Sequence, residues 1–277
     1  MNYILSLLLL MTFCVPALFG QSGFRNPLPE TVKGDRLFAE EKYKEALREY
    51  SSLASSPEVL KRLGATHIKL WDMSSAITIL RDAVRKDSRD TEAKAFLAEA
   101  LSWNRNFGEA VALYKQVLAT GDAPSDTRVG YARTLSWMKD VVGAEREYRL
   151  ATRENPDNLD AYMGLAEVLS WNKKFDQAIE TYRRVVALTS VPEYKAVALA
   201  HIGRMYIWKG DMDPATEAYN DALRHDAKNV DAMFGLGELH EWSGKYPAAK
   251  SYYQKILQVQ SDHKGAKAKL LQLMWVK

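Results

Sequence analysis

The chain has 277 residues, 47% of them hydrophobic and 26% charged, a composition that fits a folded globular protein rather than a disordered or fibrous one. Its 38 basic and 35 acidic residues leave a net charge of +3, which argues against nucleic acid or an anionic membrane as partner, since such binders carry a concentrated basic face. The single cysteine, Cys14, lies near the start, so the rest of the chain is held together without disulfides and offers no thiol for catalysis.

Residues 1–20 contain no charged side chain and are apolar from Ile4 to Phe19. That run is short for a membrane-spanning helix, which needs ~20 apolar residues. With Pro16 followed by small residues it reads as a signal peptide, cut after Gly20 or, alternatively, after Ala17. The side chains just before Cys14 (Met11, Thr12, Phe13) are not the small ones that lipidation requires. The mature chain then carries no transmembrane segment and is expected in the bacterial periplasm or envelope, or secreted. Residues 21–26 read as a flexible lead-in.

From there a pattern repeats. Alanines at 46, 76, 110, 144, 178, 215 and 249 are spaced by 30, 34, 34, 34, 37 and 34 residues. An aromatic follows four residues later at Tyr50, Tyr114, Tyr148, Tyr182, Tyr219 and Tyr253, with Leu80 in the remaining unit. One helical turn separates the two, so a small and a large residue share a face, as two closely crossing helices require. Earlier in the units, pairs such as Leu63-Gly64, Leu97-Ala98, Leu165-Ala166, Ile202-Gly203 and Leu236-Gly237 leave room for the partner helix. Units begin near residues 27, 57, 91, 125, 159, 196 and 230, filling 27–263, and residues 264–277 form a capping helix. The extra length of the fifth unit is expected as a loop around Thr189–Lys195, since Val191 precedes Pro192.

A 34-residue helix–turn–helix with a Leu-Gly pair, a later alanine, an aromatic after it and a closing proline such as Pro156 resembles the tetratricopeptide repeat. The resemblance implies an all-α, right-handed superhelical solenoid of about seven units plus the C-terminal helix. It also implies that the first helix of each unit lines a concave groove where ligands bind. The endings Leu101-Ser102-Trp103, Leu135-Ser136-Trp137 and Leu169-Ser170-Trp171 are similar to those of exported repeat arrays that precede outer-membrane barrels or accompany exopolysaccharide export. No run of alternating strands follows them here.

No catalytic constellation stands out. The five histidines show no metal-ligand spacing on one helix, there is no phosphate-cradling glycine loop, and no serine elbow. His67 and His240 fall in a slot filled by Tyr206 elsewhere and read as packing residues. The expectation is a non-enzyme without cofactor or metal.

Binding is the more informative question. Glu99, Arg133, Glu167, Arg204 and Glu238 recur at one place in successive first helices and alternate in sign. They form either a salt-bridge ladder between stacked helices or a groove floor with donors and acceptors for a polar ligand. Four residues on stand Trp103, Trp137, Trp171, Trp208 and Trp242, with Trp275 in the last helix and Trp71 two places out of register. The indoles either pack between first helices or expose an edge. With Ser102, Ser136 and Ser170 beside them, an exposed row would suit a polysaccharide: indole faces stack on sugar rings while Ser, Glu and Arg take the hydroxyls. Acidic residues at the second place of the units (Glu58, Glu92, Asp126, Asp160, Asp231) read as helix caps. Lys61 and Arg62 echo part of the carboxylate clamp of some family members, without its asparagines. The sequence reading is an exported scaffold for protein–protein interactions in envelope assembly or export, a protein or peptide occupying its groove, with a glycan-binding module as the alternative.

Overall fold

The computed structural model describes residues 24–25 and 28–275. The expected signal peptide, Cys14 and most of the lead-in lie outside the described residues. What is described is helical throughout, with no strand. The helices fall into two compact units divided between Asp140 and Val141.

The first unit opens with a 3-10 turn (Pro29–Thr31) and continues with α1 (Val32–Ala39), α2 (Tyr43–Ser51), α3 (Pro57–Lys69), α4 (Met73–Lys86), α5 (Thr91–Trp103), α6 (Phe107–Ala119) and α7 (Thr127–Trp137). The second holds α8 (Val141–Glu154), α9 (Leu159–Trp171), α10 (Phe175–Leu188), α11 (Pro192–Lys209), α12 (Met212–His225), α13 (Val230–Trp242), α14 (Tyr246–Val259) and α15 (Lys264–Gln272). Within each unit consecutive helices pack on one another, and first helices also touch: α3 meets α5 and α5 meets α7 in the first unit, and α11 meets α13 in the second.

The repeated alanine and aromatic form the core of both units. All seven alanines are fully buried, and Tyr50, Leu80, Tyr114, Tyr148, Tyr182, Tyr219 and Tyr253 are buried with them. Each such ring or chain contributes roughly 1.5–3 kcal/mol through the apolar surface it removes from water. The glycines explain how helices come close enough. A Cβ on Gly64 would lie 2.3 Å from Leu80, and one on Gly203 would lie 2.7 Å from the Tyr219 ring, whose other side faces Gly235.

The turn inside each helix pair puts one residue in the left-handed region: Glu41, Trp71, Arg105 and Lys139 in the first unit, and Lys173, Gly210 and Gly244 in the second. Only the two glycines adopt that conformation without Cβ strain.

Two expectations are corrected. The extra residues of the fifth unit extend a helix rather than a loop: α11 starts at Pro192 and runs 18 residues. Proline suits a first helical position, where its missing N–H would have had no partner and its fixed φ is already helical. The helix caps are also not the second-place acids. The side chains that accept backbone N–H groups at helix starts are Ser56, Asp72, Asp90, Asn158, Asn229 and His263. Glu58, Glu92 and Asp231 make ion pairs instead.

Candidate binding surfaces

In the first unit the tryptophans touch ring to ring, edge-on or tilted, and Trp71 keeps 56% of its surface exposed. Trp71 and Trp103 have ring centroids 5.0 Å apart, Trp103 and Trp137 are 4.6 Å apart, and Phe107 extends the row. Trp71 reaches this row from the left-handed turn position, which is why its sequence register is shifted. Arg133 lies over the Trp103 ring at 5.9 Å. Burial pushes the Glu99 carboxyl up to about 7, against the opposing fields of Arg133 and Lys69.

Ser102 is buried and points away from any surface ligand. It donates to the Ala98 carbonyl and lies 2.8 Å from the Thr134 hydroxyl. Ser136 and Ser170 are buried likewise, bonded to the carbonyls of Ala132 and Glu167. Back-bonding of this kind satisfies a hydroxyl inside a helix.

The second unit leaves its indoles open. Trp171 is 39% exposed, Trp208 49% and Trp242 54%. Trp208 meets Phe175 at 5.7 Å, a single ring contact rather than a run. One turn before these indoles stand Glu167, Arg204 and Glu238. Arg204 pairs with Asp231 at 3.0 Å, and Glu238 lies 3.9 Å from Lys269, so the close ion pairs are shifted from the expected ladder. Lys269 also pairs with Glu241 at 3.0 Å. The Glu167 carboxyl is raised by the protein that walls it in, even though its surface reaches water. Burial raises Glu238 too, opposed by Lys269 and Arg204. Beside Arg204, His201 stacks on Tyr182 at 5.0 Å, and burial and the guanidinium lower its imidazole to about 4. It is neutral at pH 7.

A charged cluster that sequence reasoning did not assemble sits in the first unit. Lys61 and Arg62 are completely buried. Lys61 Nζ lies within 2.8–3.0 Å of Glu58, Asp90 and Glu92. Arg62 grips Asp35 with Nε at 2.8 Å and a second nitrogen at 3.1 Å, and reaches Glu58 at 3.2 Å. Burial opposes both charges, yet hydrogen bonds to Glu58 and Asp90 raise Lys61, and those to Asp35 raise Arg62. Tyr50 donates to the same Asp35 at 2.6 Å. The adjacent Lys-Arg pair was the visible signal, but apart from Glu58 on the same helix its partners come from α1 and from α5 with its cap.

Against this cluster lie the two described residues of the lead-in. Phe24 packs on Phe38 at 5.1 Å, Phe96 at 6.2 Å and Tyr50 at 6.3 Å, with the Arg62 guanidinium over its ring at 4.6 Å. Arg25 donates to the Asp122 carbonyl at 3.0 Å, its carboxylate at 3.2 Å and the Ala123 carbonyl at 2.8 Å.

Among the described residues no group of three or more His, Cys, Asp or Glu is placed to hold a metal ion, and no helix is long and apolar enough to cross a membrane. The surfaces offer aromatic faces, carboxylates and guanidiniums, the chemistry of recognition by contact.

Comparison with known proteins gives one consistent picture. Two tetratricopeptide-repeat family models match residues 138–200 and 209–265. The chain is 30% identical over 90 residues to a DnaJ homolog subfamily C member 7 homolog of Schizosaccharomyces pombe, a stretch covering 32% of this chain and 18% of that protein. It is similar in fold to a chain of the APC/C hetero-tetramer Cut9–Hcn1, with a TM-score of 0.68 and 12% identity over 86% of this chain and 48% of that one. It is likewise similar to YrrB, described as a repeat protein with an unusual peptide-binding site, with a TM-score of 0.54 and 16% identity over 69% of this chain and 95% of that one.

Proposed function

This chain belongs to the tetratricopeptide-repeat superfamily, whose repeats serve as protein–protein interaction scaffolds, and from that premise we propose that its Val141–Lys277 unit holds a protein segment against the first-helix face. The observation that carries the reading is the open row of Trp171, Trp208 and Trp242, each one turn from Glu167, Arg204 or Glu238. Aromatic anchors flanked by both signs of charge are what a peptide needs: apolar faces for its side chains, donors and acceptors for its backbone and ends. The peptide-binding site described for YrrB lends this further support. The scaffold is read as acting without catalysis. The uncharged apolar stretch 1–20 and the absence of cysteine after it support export to a bacterial envelope as the setting. A glycan ligand has less to stand on, because Ser102, Ser136 and Ser170 spend their hydroxyls on the helix backbone.

The test is crosslinking in cells with identification of what is captured. The expected result is a reproducible protein partner, lost when Trp171, Trp208 and Trp242 are changed to alanine and weakened by Arg204→Ala, with helical content unchanged. Capture that is indifferent to all four changes overturns the assignment to this face. A shift in tryptophan emission on adding glycans, with none on adding peptides, would transfer the reading to polysaccharide.

A further inference from the structure

The two lead-in residues do not behave as a linker. Phe24 and Arg25 belong to no helix, yet Phe24 meets side chains of α1, α2, α3 and α5, and Arg25 spans to the α6–α7 loop. We propose that this face of the Met1–Asp140 unit is a peptide-binding site for an extended segment bearing an aromatic residue followed by arginine, and that the chain's own Phe24–Arg25 fills it in the free protein. The inference rests on the scaffold reading above and names the ligand chemistry of the unit that reading left aside.

The aromatic subsite is built before any ligand arrives. Asp35 and Glu58 engage the edges of the buried Arg62 guanidinium, so its flat face is held in a fixed plane beside Phe38 and Phe96. A cation fixed in that way selects a ring, whose negative face it meets, over an aliphatic chain of similar size. The arginine subsite is a set of three acceptors, two backbone carbonyls and one carboxylate, converging on one guanidinium within 3.2 Å. Backbone carbonyls from a loop turned at Gly121 (φ 73°) keep that set in place without side-chain ordering. The surroundings favour a basic guest as well. Four carboxylates (Asp35, Glu58, Asp90, Glu92) face two cations (Lys61, Arg62), and a fifth, Asp122, faces Arg25. The Arg25 backbone N–H points at Glu92 with a long 3.4 Å contact, a weak main-chain tie.

No helix pair depends on the segment, since α1 packs on α2, α2 on α3, α3 on α4 and α5, and α5 on α6 and α7 directly. It can therefore leave without unstacking the unit. A tethered segment of the right chemistry lowers the apparent affinity for an external ligand by the fraction of time it occupies the site.

The experiment uses the full chain and a fluorescent peptide of residues 21–28, Gln-Ser-Gly-Phe-Arg-Asn-Pro-Leu, followed by anisotropy. The Phe24→Ala/Arg25→Ala variant is expected to bind this peptide about tenfold or more tighter than the wild type does. A control peptide with alanine at both positions should not bind, and adding Asp122→Asn to the variant should weaken capture. Where the double variant loses helical content, Arg25→Glu, which opposes Asp122 and leaves Phe24 in place, replaces it in the same comparison. A folded variant that fails to bind, or that binds the two peptides alike, overturns the proposal. Partner capture through Trp171, Trp208 and Trp242 is read separately, so its survival alongside a negative result here would overturn this inference alone.

Discussion

The same repeat is used in two ways in the two units. In the first, Trp103, Trp137, Lys61 and Arg62 turn inward, while Trp71 at its turn stays 56% exposed. Trp103 meets Trp71 edge-on and Trp137 at a tilt, Lys61 and Arg62 are wholly buried among carboxylates, and the chain's own Phe24 lies on the first-helix face. In the second, the equivalent indoles reach solvent, and ion pairs such as Arg204–Asp231 and Lys209–Asp176 sit at the surface. The repeat consensus fixes helix crossing through alanine, glycine and tyrosine in both. What it leaves unspecified is whether the remaining large side chains serve cohesion or recognition. Trp71 apart, the first unit has used them on itself and the second has left its indoles available.

The sharpest way to break this contrast is to remove an arginine from each unit. Arg62→Leu leaves Asp35 and Glu58 without their buried partner and is expected to cost about 3–5 kcal/mol in urea unfolding. Arg204→Leu breaks a pair whose Asp231 side chain is 49% exposed and should cost no more than about 1 kcal/mol. Equal losses would mean the two networks do the same work.

The tryptophans come next. Trp103→Ala opens a gap between two rings, with an expected loss of about 2–4 kcal/mol. Trp242→Ala should stay within about 0.5 kcal/mol, because its indole is 54% exposed.

Much of this was legible in advance, and the illegible part has a physical reason. The alanine–tyrosine spacing determined helix pairing because a 3.6-residue period places both on one face whatever surrounds them. The Trp row was equally visible, but its burial was not: Trp103 and Trp171 sit in near-identical local sequences, and only neighbours some 34 residues away decide between ring contact and exposure. The same holds for Lys61 and Arg62, whose partners Asp35, Asp90 and Glu92 come from adjoining repeats. Phe24 and Arg25 looked like linker because no periodicity marks a residue that docks on helices formed elsewhere.

A pH series tests the Glu99 site of the first unit. The Glu99 carboxyl titrates higher when folded, at about 7, than its ordinary 4.5, so the folded state holds the extra proton between those values. Stability tied to Glu99 is therefore full below about pH 4.5 and is lost as pH rises towards 7, by about 2 kcal/mol after allowance for solvent. Glu99→Gln should flatten that slope and be the more stable form above pH 7, as read from thermal midpoints. A slope unchanged by the substitution would move the effect elsewhere.

The smallest differences are in the turns. Gly244→Ala, at φ 70°, should cost about 1 kcal/mol, whereas Arg105→Gly, at φ 63° in the first unit, should be neutral or stabilising by less than about 1 kcal/mol. Denaturant midpoints at unchanged slope would register both.

The contrast between a closed and an open face is measured most directly by hydroxyl-radical footprinting of the native chain, read tryptophan by tryptophan in a mass spectrometer. Trp171, Trp208 and Trp242 are expected to oxidise clearly faster than Trp103 and Trp137, and to slow when a captured partner is present. Equal rates across the five indoles, or protection by the partner confined to Trp103 and Trp137, would contradict the account.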